Sequence, residues 1–567
     1  MGRRLARQTS RVLLSGYSMA IKHSTSALTA AQKAAQDARY AEGHTYDYVI
    51  IGSGNASLVL SSLLVNKGFT VCILEAHDIP GGYVQSFKTG DYFFCGQVHY
   101  IWGCGPGGRI YEFLKRVGLE KDITFELMDT KGYDVMAMPD GKRVGIPYGF
   151  DQLVKNIEEA YPGQGAGVKK FTDLIMTVRR EFSFIPARKF TVKDYLTMWY
   201  KVLNLIKYRN STVQQVYDEC GVGKEAQDVL LANAGDFMES ANKLSFFAYA
   251  GLFGGYNTGS YYPTKHFKYY VDRLAKFITD HPGCHIYYET PVTQIVTEQG
   301  KVTQLVTKDG KVFKGKNYVC NADPALASTW ITGEDLPVEY KKKLKYEYSP
   351  SGLIIYLGLK DIDLREHGFG NFNIWHQEQW DMNKTWKDTL AGDFSHPWVF
   401  MSTPTLHSNE PGTAPEGRQI LEIETLVDYQ EMKDLKDKSY VEYNRRKNQI
   451  ADKLLDIVEQ KFIPNLRKHI EVKVVGTPTT NEDFCMAPRG NAYGAALYPK
   501  YLKSRLFGET PYSNFFWCNA TSGWGGVYGT TNTAMKLYTQ LTGDVFNEDA
   551  TDEELINAIR KGNSNPS

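Results

Sequence analysis

Along the chain, apolar residues gather in short runs whose period changes from one run to the next. Tyr46-Asp47-Tyr48-Val49-Ile50-Ile51 predicts a short buried strand, and Leu58, Leu60, Leu63 and Leu64 then recur at helical spacing until Gly68 stops the helix. Thr70-Val71-Cys72-Ile73-Leu74-Glu75 predicts a second strand, so the three pieces read as a βαβ unit of about 30 residues. The stretch from Tyr48 to Asn66 has no charge, but Gly52-Ser53-Gly54-Asn55 interrupts it, which fits a strand, a turn and a helix better than a membrane span. Far downstream, Val292, Ile295, Val302, Leu305, Val306, Val312 and Val319 alternate between Gln299-Gly300 and Asp309-Gly310 turns, which predicts a β-meander over Ile286 to Cys320. Residues 146–264 and 331–484 are longer mixed regions rich in Trp, Tyr and Phe. The expected fold class is α/β: a Rossmann-like body with a β-meander, built from 46–145, 265–330 and 485–545, plus a discontinuous α+β substrate domain over 146–264 and 331–484.

Composition narrows the function. With 65 Lys+Arg against 64 Asp+Glu the chain has no overall charge suited to nucleic acid, and none is expected as a partner. Its 8 Cys include no C-x-x-C pair, so neither a disulfide framework nor a zinc ribbon is read. His281, Cys284 and His285 cluster, but Pro282-Gly283 breaks any helix that would present them together; the group reads as a polar turn and no metal site is expected. The 37 Tyr, 28 Phe and 9 Trp supply rings that suit the lining of an apolar cavity as well as a core. Residues 1–45 stand apart. Seven basic residues there face only Asp37 and Glu42, the composition of an organelle transit peptide or of a disordered basic arm. The segment 546–567 reads as a polar tail.

Candidate chemistry sits in the first βαβ unit. In Gly52-Ser53-Gly54-Asn55-Ala56-Ser57, Gly52 makes the turn and Gly54 lets backbone approach a pyrophosphate at a helix N-terminus. Ser57 takes the place of the usual third glycine. Glu75 ends the second strand 21 residues after Gly54, where an acid accepts ribose hydroxyls. The paired glycines Gly81 and Gly82 follow, a bare loop suited to a second phosphate or a flavin, which favours FAD over NAD.

The stretch from Tyr46 to Leu119, including Gly96-Gln97-Val98-His99-Tyr100-Ile101, resembles the phytoene desaturase-like FAD flavoproteins, most closely their carotenoid isomerase and retinol saturase branch. Thr477-Pro478-Thr479-Thr480-Asn481 through Gly494, and Asn514 through Gly529, resemble the later motifs of that branch in the same order. In the last block Asn519-Ala520 replaces the usual Gly followed by Asp or Gln, removing a polar contact to FAD. The resemblance implies non-covalent FAD and a hydrophobic polyene or isoprenoid substrate that is isomerised, saturated or desaturated at the flavin face. It implies that Val292 touches the adenine through its backbone and that a helix from Gly526-Val527 aims its N-terminal dipole at the flavin. His99, Tyr100, Arg489 and Tyr493 are the candidate catalytic residues, each with a purely structural role as the alternative. The segment from Arg188 to Arg209 has a basic rim and an apolar face with Trp199, which suits peripheral membrane contact as well as a core helix. A plastid or mitochondrial location is expected, with the endoplasmic reticulum membrane as the alternative. Two other functions stay open: a flavoprotein acting on unsaturated fatty acids or amines, and a flavoprotein-derived scaffold without turnover. No signature identifies the electron donor or acceptor.

Overall fold

The structure, a computed structural model, describes residues 28–185, 197–410, 412–502, 505–547 and 549–562. Its first sheet grows outward from the predicted βαβ unit. The strand Thr45–Ile51, its alternate rings and aliphatics buried on both faces, lies parallel to Val71–Leu74 on one side and to Val312–Cys320 on the other. His285–Tyr287 extends the sheet beyond Val71–Leu74, and Phe515–Trp517 also joins Val312–Cys320 in parallel. Strands buried on both faces read as continuous apolar runs, which is why they are legible in the sequence. The expected meander is present: Val312–Cys320, Lys301–Thr307 and Val292–Glu298 pair antiparallel in sequence.

The helix Asn55–Asn66 is buried along nearly its whole length. Helices His266–Thr279 and Gly526–Thr542 pack against it, so the middle and the end of the chain close over its beginning.

A second sheet of seven strands runs in the order Ile470–Gly476, Ser351–Leu359, Gln419–Val427, Trp398–Ser402, Asn373–Gln377, Asp134–Ala137 and Arg143–Ile146. Its two outer strands come from residues 134–146, so the second sheet begins earlier than the expected change of body after residue 145. The hairpin is drawn there by pairing between Asp134–Ala137 and Asn373–Gln377, a long-range match that no local pattern announces. Helices from 150–183 and 203–257 share an aromatic core with this sheet, including Tyr133, Phe171, Tyr249, Trp375 and Trp398.

Two terminal expectations change. Residues 28–45 were expected within a detached extension, but the capped helix Ala30–Arg39 docks on the first body. Gln36 pairs with both backbone groups of Tyr288 (3.2 and 2.8 Å), Lys33 meets Glu289 at 2.6 Å, and the Tyr40 hydroxyl bonds both backbone groups of Val312. The start of that extension, residues 1–27, lies outside the described residues. At the other end, the tail forms the helix Asp552–Arg560, held by a two-pronged pair between Arg179 and Asp552 and by Arg560 with Asp151.

The segment 188–209 is not one continuous helix. Its beginning, through residue 196, falls outside the described residues; after it come a turn at Trp199–Lys201 and a short helix Leu203–Tyr208. Leu205 and Tyr208 point inward, whereas Trp199, Tyr200, Leu203 and Ile206 are exposed, as are Phe184 and Ile185 nearby. Among the described residues no helix is long and apolar enough to cross a membrane.

Candidate active site

Two glycine loops meet at the start of the helix Asn55–Asn66. Gly54 caps that helix in an extended conformation with no side chain over the first amides, and there is no acid in the first turn. The exposed amides and helix dipole therefore favour an anion. Gly81 forms a bridge with Gly54 and donates to the Ser53 carbonyl at 3.0 Å. A Cβ on Gly54 would collide with the Asn321 side chain, and one on Gly82 would lie 3.3 Å from the Gly54 backbone. Ser57 is fully buried in the first turn, where its small side chain lets the helix sit close to the sheet.

Glu75 sits one residue past its strand. Its carboxylate accepts from the Ser53 amide (2.7 Å), the Ser53 hydroxyl (2.5 Å) and the His77 amide (2.8 Å), which fixes the acid beside the glycine loop. The Glu75 carbonyl takes the Thr290 amide at 2.7 Å, which brings Val292, at the start of its strand, to the same edge. Across the body, Gly526 opens the helix Gly526–Thr542 with a positive φ of 73° and free space where a side chain would stand. An open cradle of backbone amides, a fixed acid and a second uncapped helix end fit the pyrophosphate, ribose and ring system of FAD.

Asn55 is the residue that joins the two helix ends. Its amide donates to the Val527 carbonyl (3.1 Å), Thr530 (2.9 Å) and Thr531 (3.2 Å), and its oxygen accepts from Tyr270 at 2.9 Å. Asn519, the departure from the usual motif, is also occupied internally: its side chain donates to the Ala322 carbonyl at 2.9 Å and accepts from the Ser522 amide at 2.8 Å. It organises the loop before the helix Gly526–Thr542.

The second domain presents a buried charge cluster beside this cradle. His99 lies with Nδ1 2.8 Å from Glu422 and Nε2 3.4 Å from Glu424, its ring against Phe400. Burial alone would lower the imidazole pKa, but the two glutamates outweigh it and raise it to about 10. The Glu422 carboxyl is itself pushed up, chiefly by burial. Tyr100 stacks on Tyr256 with ring centres 4.2 Å apart and reaches Asp134 and Asp236 with its hydroxyl. Tyr493 packs against Gly525, at the head of the helix Gly526–Thr542, and burial pushes its phenol well above the ordinary range. Tyr83, directly after the glycine pair, bonds the Asn491 carbonyl and so ties the cradle to the segment carrying Tyr493.

Of the four expected catalytic residues, His99, Tyr100 and Tyr493 thus come together, and Arg489 does not. Arg489 is exposed, with its guanidinium over Tyr429 and its backbone at a positive φ of 58°. The turn at Pro488–Gly490 directs its side chain outward to solvent. Glu422 and Glu424 carry a signal in the sequence: two acids at alternate positions in a largely apolar strand, Gln419–Val427, face the same side. Asp134, Asp236 and Asn55 carried none.

A dinucleotide cradle joined to a second domain with an aromatic interior defines a flavoprotein oxidoreductase. The chain belongs to the flavin containing amine oxidoreductase family, whose model matches residues 58–536, and FAD is its cofactor. It is 22% identical over 506 residues to all-trans-retinol 13,14-reductase of Danio rerio, covering 83% of this chain and 81% of that one. It is 24% identical over 499 residues to chloroplastic prolycopene isomerase 1 of an Oncidium hybrid cultivar, covering 84% and 80%. These relatives belong to the branch the sequence resembles. The fold is shared with putrescine oxidase bound to putrescine (TM-score 0.60, 14% identity, 88% of this chain and 100% of that one). It is shared too with cyclohexylamine oxidase from Brevibacterium oxydans IH-35A (TM-score 0.57, 13% identity, 88% and 100%).

Proposed function

We propose that this protein uses FAD to isomerise or saturate a polyene isoprenoid of the retinoid or carotenoid class. The observation that carries the reading is the aromatic interior of the second domain, with Tyr100, Tyr256, Phe400 and Tyr493 beside the cradle, in a chain whose relatives are a retinol reductase and a prolycopene isomerase. Flat rings and low polarity suit a conjugated chain. An amine substrate fits less well at Glu422 and Glu424, because His99 already stands between them as their cation.

In this reading Gly52, Gly54, Ser57, Gly81 and Gly82 admit the pyrophosphate, Glu75 binds the ribose and Val292 borders the adenine. Gly526 and Val527 turn their helix end toward the flavin ring. The bound flavin supplies exchange of hydride with the substrate. The protein's own residues orient the polyene, exclude water and hold protons: His99 as a fixed cation, Tyr100 and Tyr493 as neutral phenols.

The exposed patch of Phe184, Ile185, Trp199, Tyr200, Leu203 and Ile206, with Lys201 among them, supports peripheral contact with a lipid surface, the source of an insoluble substrate. An organelle location belongs to the same reading and rests on the basic, acid-poor start of the chain. The test is direct: the purified protein should show flavin absorbance and, once its flavin is reduced, convert retinoid or carotenoid presented in vesicles. A flavin-loaded protein that leaves both classes untouched while oxidising amines would overturn the assignment.

A further inference from the structure

The Tyr100 hydroxyl oxygen lies 2.9 Å from Asp134 Oδ2 and 2.6 Å from Asp236 Oδ2. A phenol has one hydrogen to donate. Two carboxyl oxygens at hydrogen-bonding distance from one phenol oxygen therefore call for a second proton, carried by a carboxyl group that donates back to the phenol. Burial points the same way, with Tyr100 at 3%, Asp134 at 0% and Asp236 at 9% exposure.

Among the described residues no free cation balances the pair. His99 is near enough to Asp236 to favour its charged form, but it is already flanked by Glu422 and Glu424. The other titratable neighbours, Tyr133, Tyr148, Tyr256 and Tyr493, are phenols that burial keeps neutral. Asp134 takes the Asn373 amide at 3.3 Å and Asp236 the Asn233 amide at 3.4 Å, both neutral donors. Burial pushes both carboxyls upward, and Asp134 pushes Asp236 further.

We propose that Tyr100, Asp134 and Asp236 form a proton store for the polyene site, one carboxyl remaining an acid at neutral pH and its proton passing out through the Tyr100 oxygen. The proposal rests on the polyene reading. It is placed by Tyr493, which packs on Gly525 beside the cradle and lies close enough to Asp236 to feel its charge. Saturating a double bond takes one proton and one hydride. The store supplies the proton, its O–H bond breaking as a C–H bond forms, and the electron pair stays on oxygen. The hydride and its two electrons would be supplied by reduced flavin when it is bound, and the spent carboxylate would regain its proton from solvent. In isomerisation the same proton would be added and later removed, with no net oxidation or reduction.

Infrared spectra of the FAD-loaded protein near neutral pH test the store without turnover. The wild type should show a carboxylic acid C=O band that shifts in heavy water and disappears in both Asp134→Asn and Asp236→Asn. Asp236→Asn should keep its flavin absorbance yet convert retinoid or carotenoid about a hundredfold more slowly, the scale of a lost general acid. Absence of such a band in the wild type overturns the proposal, as does unchanged turnover in Asp236→Asn. A band present in a wild type that converts neither lipid class supports the store and overturns the substrate reading alone.

Discussion

His99 and Glu422 stand 2.8 Å apart with both side chains almost entirely out of solvent, so the charge state of one fixes that of the other. The pair joins the segment just before Tyr100 to the strand Gln419–Val427 inside the second sheet, and the stability of this junction depends on pH. The imidazole pKa is raised from 6.5 to about 10. A raised pKa gives stabilisation that is complete below the unfolded value and is lost as pH climbs through the folded one. Urea unfolding should therefore show wild-type stability declining between about pH 6.5 and 10. His99→Gln should flatten that decline and cost about 3–5 kcal/mol near neutrality, because two buried glutamates lose their cation. An imidazole that titrates in the ordinary range by NMR would contradict this.

Replacing Glu75 by Ala should lower FAD occupancy. Hydrogen bonds to a charged acceptor contribute roughly 1.5–3 kcal/mol, about tenfold to a hundredfold in affinity, measurable by flavin fluorescence on dilution. Unaltered affinity would remove Glu75 from the ribose site.

Removing residues 1–27 should leave both flavin retention and thermal stability unchanged, whereas removing 1–44 should reduce both. The longer deletion takes away Lys33, Gln36 and Tyr40, a loss on the order of 2 kcal/mol. Glu289 and Thr290, just past the Gln36 contact, donate their amides to the His77 and Glu75 carbonyls, so loosening should reach the cofactor acid. Equal melting temperatures for the two truncations would show that the helix Ala30–Arg39 adds nothing.

Trp199→Glu combined with Leu203→Glu should weaken sedimentation with liposomes while leaving the melting temperature in place, since both side chains are more than half exposed. Lys207 is a poorer probe, being paired with Glu219 at 2.5 Å. Unchanged sedimentation would argue that this patch does not meet lipid.

What the sequence disclosed follows from locality. The glycine cradle, Glu75, the first βαβ unit and the meander each occupy a short stretch with its own period, so their pattern survives without knowledge of distant partners. Tyr100 was legible through resemblance, but Asp134 and Asp236 were not, because their meaning arises only when chain segments 34 and 136 residues away fold against one phenol. Arg489 misled for a related reason. It shares a segment with Tyr493, yet a tight turn separates their directions, and turns of that kind leave little trace in composition.

Asn55 bonds to the Val527 carbonyl 472 residues later, and the end of the strand Val312–Cys320 pairs with Phe515–Trp517, which follows it at a much shorter but still long interval. During synthesis, then, the beginning of the cofactor body emerges from the ribosome long before the pieces that complete it. The Tyr318–Cys320 end of the strand waits unpaired on that side meanwhile, a state that invites aggregation. Flavin capture is thereby a late, post-translational event, and a chain shortened before Val527 would be an apoprotein whatever the state of its glycine motif.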